Sequence, residues 1–375
     1  MEQKALPEVC HIQYGYPFDS KRFSDKEGFP LIRIRDVVRG HTETFTTESC
    51  NDEYIVKKGD ILIGMDGMFN VAKWKGNTAY LNQRVCKIEP NSSIVADYLF
   101  YYLPCALKKI ENKTAFVTVK HLKAKQLNSI LIPCPPVKEQ KRIAQILDLL
   151  FYLICQKKKQ LNYLDELVKS RFLEMFGEPW VNDKEFPCYS VGQVAESVTY
   201  GTSAPASDSG QYEYLRMNNL TDNGQLDLSD LKRIDMSDEQ AEKYMVKKGD
   251  ILFNRTNSID LVGKTALFNL NNPMIIAGYL IRIRLSDKVN PVYFVAYMNM
   301  PYMKEKLRNI AKGAVNQANI NSKELKSIQI LIPPLSLQNE YCNFVLSIDK
   351  SKLAVQKSLD ELEILKKSLM QTYFG

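Results

Sequence analysis

The chain has 375 residues, of which 45% are hydrophobic and 25% are charged, and its formal net charge at pH 7 is +7. This length favours two domains over a single core, and the composition is that of a globular protein. No apolar run reaches the roughly 18 residues of a membrane span, and we expect no secretory signal at the N-terminus. The basic charge is compatible with a polyanionic partner, nucleic acid before membrane.

Cysteine and histidine usage bounds the chemistry further. The eight cysteines form no CxxC pair, and the three histidines stand in no metal-binding pattern. We therefore expect no disulfide framework and no metal site, and a reducing cytoplasm as the compartment.

Two short segments in the first part of the chain recur in its second half. Residues 30–37 (PLIRIRDV) resemble residues 213–220 (EYLRMNNL), and each segment is predicted to be a strand with a basic residue, Arg33 or Arg216, at the same phase. The heptapeptide VKKGDIL occurs at residues 56–62 and again at 246–252. Its Gly-Asp pair followed by apolar residues predicts a turn that opens a strand.

A long helix is predicted after each Pro-Pro pair. Residues 127–140 match residues 325–338, and the match continues without a gap to Gly177 and Gly375. No Pro or Gly interrupts either run before its terminal Gly, and apolar residues recur at spacings of three and four. Such a stripe needs a partner helix, and the other copy is the obvious one. The predicted helix-pairing residues are Leu147, Leu150, Ile154, Leu161, Leu164, Val168, Val345, Ile348, Val355, Leu359, Leu362 and Leu369.

No catalytic motif stands out. The segment SIDLVGKT at residues 258–265 ends like a phosphate-binding loop, but Ser258 occupies the position where that loop needs glycine. We interpret Gly263 to Thr265 as a turn that leads into a strand. No acid/base pair and no nucleophile motif is recognisable, so the predicted catalytic and metal sites are none.

Polar, basic and aromatic residues instead collect in the segments between predicted strands. Asn, Gln and Arg read adenine and guanine edges in the major groove, and nearby lysines hold phosphates. Each loop alone is more often a simple turn, because Asn tolerates unusual backbone angles. Taken together in a basic, duplicated chain they favour DNA reading. The candidate DNA-binding residues are Tyr14, Tyr16, Lys21, Arg33, Arg35, Lys73, Asn82, Gln83, Arg84, Arg216, Asn218, Asn254, Arg255, Asn257, Lys264, Asn316, Gln317 and Asn319.

The chain resembles the specificity (S) subunit of type I restriction-modification systems over essentially its whole length. The second Pro-Pro junction departs from the family pattern, with Leu337 where the first junction has Glu139. The segments that carry the resemblance are GYPFDSKRFS (15–24), PLIRIRDV (30–37), GDILIGMDGMFNVAKW (59–74), IPCPPVKEQ (132–140), GDILFNRTNSIDLVGKTA (249–266) and NQANINSKELKSIQILIPP (316–334).

The resemblance implies an α+β fold. Two globular mixed α/β target-recognition domains lie in tandem repeat, joined by two long conserved helices packed as an antiparallel coiled coil. The expected domain boundaries are target-recognition domain 1 at 1–135, conserved helix 1 at 136–177, target-recognition domain 2 at 178–334 and conserved helix 2 at 335–375.

The resemblance also implies a non-catalytic subunit that reads a bipartite site in double-stranded DNA with a fixed spacer. Its expected partners are two adenine-N6 methyltransferase (M) subunits and restriction (R) subunits, with no membrane. No cofactor is expected on this chain, because S-adenosylmethionine belongs to M, and ATP and Mg to R. The expected location is the cytoplasm of a bacterial or archaeal cell. Phe151, Phe172 and Phe176 are either exposed docking residues for M or ordinary helix packing.

Two other classes of function remain open from the residues alone. One is a DNA-modifying enzyme, a nuclease or methyltransferase, with an unrecognised active site. The other is a coiled-coil scaffold without DNA binding. An enzyme would act in isolation, and a scaffold would tolerate changes in the polar loops but not in the helical stripe.

Overall fold

The computed structural model describes residues 2–113, 120–314 and 317–375. The chain divides into two compact units: unit 1 is Met1–Lys157 with Ser358–Gly375, and unit 2 is Lys158–Lys357. Each unit therefore combines a globular part with one half of each long helix.

Unit 1 is built from short strands and helices that precede the first long helix. Its strands are β1 (Gln3–Ala5), β2 (Cys10–Tyr14), β3 (Phe23–Ser24), β4 (Phe29–Ile32), β5 (Phe45–Thr46), β6 (Ile55–Val56), β7 (Ile61–Gly64), β8 (Val71–Lys73), β9 (Ala79–Leu81), β10 (Val85–Pro90) and β11 (Leu131–Pro133). Its helices are α1 (Leu6–Val9), α2 (Ile34–Arg39), α3 (Ala96–Lys113), α4 (Ala124–Asn128) and the first half of α5 (Val137–Phe176), with 3-10 turns at Ser20–Arg22 and Asp52–Tyr54.

Unit 2 repeats this plan. Its strands are β12 (Cys188–Ser190), β13 (Ala195–Tyr200), β14 (Tyr212–Leu215), β15 (Lys232–Ile234), β16 (Met245–Val246), β17 (Ile251–Asn254), β18 (Thr256–Asn257), β19 (Thr265–Leu267), β20 (Met274–Ile276), β21 (Leu280–Leu285), β22 (Lys312–Ala314), β23 (Gln317–Asn319) and β24 (Gln329–Leu331). Its helices are α6 (Val191–Val194), α7 (Asp238–Tyr244), α8 (Pro291–Met298), α9 (Pro301–Ile310), α10 (Ser322–Ser327) and the first half of α11 (Leu335–Phe374), with a 3-10 turn at Met217–Asn219.

The sheets of the two units have matching topologies. A four-stranded antiparallel sheet has the order β2-β10-β7-β8 in unit 1 and β13-β21-β17-β19 in unit 2. A second sheet contains β5-β4-β9-β6 or β15-β14-β20-β16, and its one parallel pair, β4–β9 or β14–β20, recurs at the same place. The predicted internal duplication is therefore present in the fold itself.

The repeated heptapeptide forms the same turn in both units. Gly59 and Gly249 have φ angles of 99° and 98°, a left-handed conformation that suits glycine. The Asp60 carboxylate accepts from the backbone N–H of Lys57 at 2.8 Å, and that of Asp250 from Lys247 at 2.9 Å. The repeat is thus structural, as predicted: it closes a turn and starts the central strands β7 and β17.

The repeated glutamine after each Pro-Pro pair ties the start of a long helix to its own unit. Gln140 and Gln338 are 1% and 0% exposed. The carboxamide oxygen of each accepts a backbone N–H at 2.8 Å from the loop before α3 or α8. Each amide nitrogen donates to a proline carbonyl of its own junction, Pro135 at 2.9 Å or Pro333 at 2.7 Å.

The two long helices have 40 residues each and lie where the sequence predicted long helices. Within unit 2 they run antiparallel, because Asp165 of α5 contacts Lys352 of α11 at 2.6 Å and the later Arg171 contacts the earlier Glu340 at 2.9 Å. Within unit 1, the ammonium of Lys366 lies 5.1 Å from the ring centroid of Phe151. All twelve predicted helix-pairing residues are buried or half-buried.

The structure decides one alternative that the sequence left open. Phe172 and Phe176 are 0% and 3% exposed in the unit 2 core, so their role is packing; Phe151 is 36% exposed.

The prediction that Arg33 and Arg216 lie within strands is wrong. Both strands end one residue earlier, and each arginine precedes a short helical turn. Its backbone N–H donates to an Asp36 or Asn219 side chain, which ends the sheet pairing there.

Candidate nucleic-acid interface

In unit 2, two of the predicted polar loops meet at the end of β17. The N–H of Arg255 donates to the Tyr279 carbonyl at 3.0 Å, and its own carbonyl accepts from Ile320 at 2.9 Å. The guanidinium donates to the Gly278 carbonyl at 3.3 Å and lies 4.8 Å from the ring centroid of Tyr200. Arg255 is therefore held by backbone and side chain together.

Further polar candidates surround this arginine. Strand β18 pairs with β23, which brings Asn257 opposite Ala318 and places Gln317 and Asn319 on the same small sheet. Gln317 is exposed, whereas Asn257 and Asn319 are half-buried. Tyr200 and Tyr279 are 40% and 50% exposed. Aromatic rings, amides and a cation thus lie near the end of β17, and such groups can stack on and hydrogen-bond to bases. Asn257 lies on the same face of the small sheet as Ala318, whereas Gln317 and Asn319 lie on the other face.

Unit 1 has the same pair of backbone hydrogen bonds after its central strand β7, with different side chains. This shared hydrogen-bond pattern is the backbone frame. The N–H of Met65 donates to the Arg84 carbonyl at 2.8 Å, and the Met65 carbonyl accepts from Leu122 at 2.7 Å. The backbones of Asp66 and His121 form an isolated antiparallel β-bridge. The Asp66 carboxylate lies 2.7 Å from His121 Nδ1 and 3.7 Å from Arg84 Nε. Met65 and Arg84 therefore stand where unit 2 has Arg255 and Tyr279.

A Tyr-Gly pair completes the frame in each unit. Tyr14-Gly15 ends β2 and Tyr200-Gly201 ends β13, and each glycine N–H donates to the first residue of β10 or β21, at 3.0 and 3.1 Å. A Cβ at Gly15 would lie 2.0 Å from a backbone oxygen and one at Gly201 2.3 Å, so only glycine permits this approach. Burial, with a smaller effect of the Cys86 thiol, raises the pKa of Tyr14 above its ordinary value.

Other predicted candidates lie away from these two clusters or have partners already. Lys73 pairs with Asp97, Arg216 with Asp230 at 2.6 Å and Lys264 with Asp222 at 3.3 Å. Arg33 lies over the Phe23 ring, Arg35 donates to Thr44, and Tyr16 packs against Phe18 and Tyr54. The exposed candidates are Lys21, Arg35, Gln83, Arg84, Asn218 and Gln317.

Two of the candidate DNA-binding residues are buried, and a third lies outside the residues that the structure describes. Asn82 and Asn254 are 7% and 0% exposed, so their amides have no access to a DNA base in this structure. Both lie beside a strand end, and the Asn254 side chain accepts from the backbone N–H of Thr256 at 3.3 Å. Asn316 lies outside the described residues.

Sequence reasoning missed four residues of the two clusters: Tyr200, Tyr279, Asp66 and His121. The signal for Tyr200 was available, because Tyr-Gly follows the first long strand of both halves. His121 and Asp66 are 55 positions apart, and nothing in the local pattern pairs them. Among the described residues there is no cluster of His, Cys, Asp and Glu that could hold a metal ion. No described helix is long and apolar enough to cross a membrane.

Comparison with known proteins supplies the family. The family model for the type I restriction modification DNA specificity domain matches residues 1–164 and again 184–363. The chain is 30% identical to the type I restriction enzyme EcoBI specificity subunit of Escherichia coli, over 99% of this chain and 84% of that protein. It is 26% identical to the MjaVIII specificity subunit of Methanocaldococcus jannaschii, over 91% of this chain and 87% of that protein.

Solved structures agree on the fold. The S subunit of a type I restriction-modification system from M. genitalium has a TM-score of 0.61 at 12% identity, and the comparison covers 100% of this chain and 96% of that one. A chain from a structure of complex assembly in the type I R-M system has a TM-score of 0.58 at 16% identity, over 100% of this chain and 97% of that one.

The sequence match over most of both halves carries the assignment. Both family matches fall on the two copies of the internal repeat, and the relatives that share this sequence are specificity subunits. The chain belongs to the type I restriction-modification specificity family, and it is a DNA sequence-specificity subunit and not a free-standing enzyme.

Proposed function

We propose that this chain reads a bipartite DNA site, one half-site with each unit, and that the two half-sites differ in sequence. The observation that carries the proposal is the shared backbone frame with unlike side chains. Arg255 and Tyr279 occupy it in unit 2, with Tyr200 beside Arg255. Met65 and Arg84 occupy the equivalent positions in unit 1, with Asp66 and His121 beside Arg84. Two similar frames favour one mode of docking, and different donors and acceptors favour different bases.

The proposal assigns the chemistry to partner subunits. Two methyltransferase subunits bind S-adenosylmethionine and methylate adenine N6, a reaction that requires the base to leave the helix. Restriction subunits use ATP and Mg for cleavage, and the complex works in the cytoplasm of a bacterial or archaeal cell. The family assignment supports this division, as does the fold shared with a chain from a type I assembly.

Methylation sequencing tests this function directly. DNA is taken from cells that express the chain with the methyltransferase subunit of its own system, and from cells that lack the chain. We expect a new adenine-methylated motif with two unlike halves and a spacer of constant length. The control is the same methyltransferase alone, which should produce no such motif. A complex that assembles but methylates no motif of this kind would refute the proposal.

A further inference from the structure

The cluster of Asp66, Arg84 and His121 in unit 1 contains an arginine in an unfavourable backbone conformation. Arg84 has φ 73°, the left-handed region, which residues other than glycine and asparagine rarely adopt. Its side chain is 58% exposed, so burial of the side chain does not explain the conformation. A strained residue at an exposed position is a recurrent sign of a functional requirement.

The surrounding backbone over-determines this conformation. The carbonyl of Arg84 accepts from Met65 at the end of β7, and the N–H of the next residue, Val85, donates to the Asn82 carbonyl at 3.2 Å. Arg84 is therefore the last residue of a tight turn between β9 and β10. The turn fixes the direction in which the side chain leaves the sheet.

One carboxylate restrains the guanidinium. Asp66 Oδ2 lies 3.7 Å from Arg84 Nε, and Asp66 Oδ1 lies 2.7 Å from His121 Nδ1. The side chain of Asp66 is only 23% exposed, which limits its own movement. Because the carboxylate faces Nε, the two terminal nitrogens of Arg84 remain as a forked pair of donors.

Resting on the proposed function, we propose that Arg84 is a specificity-determining residue for the half-site read by unit 1. Its two terminal nitrogens donate hydrogen bonds to N7 and O6 of a guanine, and Asp66 is the positioning residue. A forked donor pair matches the two guanine acceptors in the major groove. Unit 2 has Tyr279 at the equivalent place in the frame, so its half-site lacks this contact.

The test starts from the methylated motif of the wild-type complex. Initial methylation rates are then measured on duplexes that differ at one base pair, with the full chain bound to its methyltransferase subunit. We expect Arg84→Ala and Arg84→Lys to lower discrimination at one G:C pair about 5- to 150-fold. Lysine does not rescue, because its ammonium is a single point donor and not a fork. Arg39→Ala is the matched control, an exposed arginine at the end of α2 in the same unit, and should leave discrimination unchanged.

An atom-level substitution in the DNA separates contact from general loss of binding. 7-Deazaguanine at that position removes the N7 acceptor, so it should slow the wild-type complex and leave the rate of the Arg84→Ala complex unchanged. Asp66→Asn should weaken discrimination at the same base pair, and Asp66→Glu should retain most of it. Arg255→Ala should change the other half-site only.

Stability distinguishes reading from folding. Arg84→Gly suits φ 73°, so its unfolding midpoint should equal or exceed that of the wild type although discrimination is lost. A bipartite wild-type motif whose bases are read equally well by all Arg84 variants would overturn this inference and leave the proposed function intact. A wild-type complex that methylates no motif would overturn both.

Discussion

At the residue scale, Arg255 is held in one conformation by its surroundings before any ligand is bound. Three restraints act on it: both backbone groups are hydrogen-bonded, the guanidinium donates to the Gly278 carbonyl, and the Tyr200 ring lies 4.8 Å away. The Tyr200 hydroxyl itself accepts from the backbone N–H of Ser322 at 2.7 Å. A side chain ordered before binding loses less conformational entropy when it contacts DNA.

The corresponding prediction concerns Arg255→Ala. Removing the guanidinium should relax the half-site of unit 2 and lower its discrimination by about 1–3 kcal/mol. Binding affinities for duplexes that vary in one half-site, measured by fluorescence anisotropy at fixed salt, check this value. Lys323→Ala, an exposed cation in α10, serves as the control for simple loss of charge. Equal loss on every duplex would mean that Arg255 contacts phosphate and reads no base.

At the scale of the element, the two copies of the repeated turn have the same backbone conformation but different side-chain contacts. A Cβ at Gly59 or Gly249 would meet nothing within 4 Å, and both glycines have a similar left-handed φ angle. The two aspartates differ, because Asp250 is 5% exposed and contacts Arg284 at 2.9 Å, whereas Asp60 is half-buried. The same seven residues thus meet different surroundings in the two units.

Two matched pairs of substitutions follow from this difference. Gly59→Ala and Gly249→Ala should destabilise their units by the same amount, about 1–2 kcal/mol, since only backbone strain changes. Asp250→Ala should lower the free energy of unfolding more than Asp60→Ala does, because it also leaves the partly buried guanidinium of Arg284 without its carboxylate partner. Shifts of the unfolding midpoints in differential scanning calorimetry test both statements. Unequal effects of the two glycine substitutions would contradict the first.

For the whole molecule, the family resemblance implies that the long helices set the spacer between the half-sites. Seven residues add about 10 Å and almost two full turns to a helix, which keeps its apolar stripe in phase. About 10 Å corresponds to roughly three base pairs of DNA. Matched seven-residue insertions in the middle of α5 and α11 should therefore lengthen the methylated spacer by about three base pairs and keep both half-sites.

Methylation sequencing of the insertion variant measures the new spacer. The control is a matched insertion of two residues, which rotates each stripe by about half a turn and should abolish activity. An unchanged spacer in an active seven-residue variant would mean that the helices do not act as the ruler.

Local patterns in the sequence determined the duplication, the long helices and the repeated turn. A helix stripe, a Pro-Pro stop and a Gly-Asp turn each depend on residues within one or two turns of chain, so they can be read without a partner. The resemblance to the specificity family was also visible in the sequence alone, and the family match confirms it.

The tertiary structure alone decided which of the candidate residues meet. Asp66 and His121 pair across 55 positions, and Tyr200 reaches Arg255 through the register of β13, β21 and β17. The sequence also did not show burial: Asn254 is fully buried although it was a candidate DNA-binding residue, and Phe172 is fully buried where docking and packing were both open. The physical reason is that strand register and helix packing determine which face of an element is covered, and both depend on residues far away in the sequence.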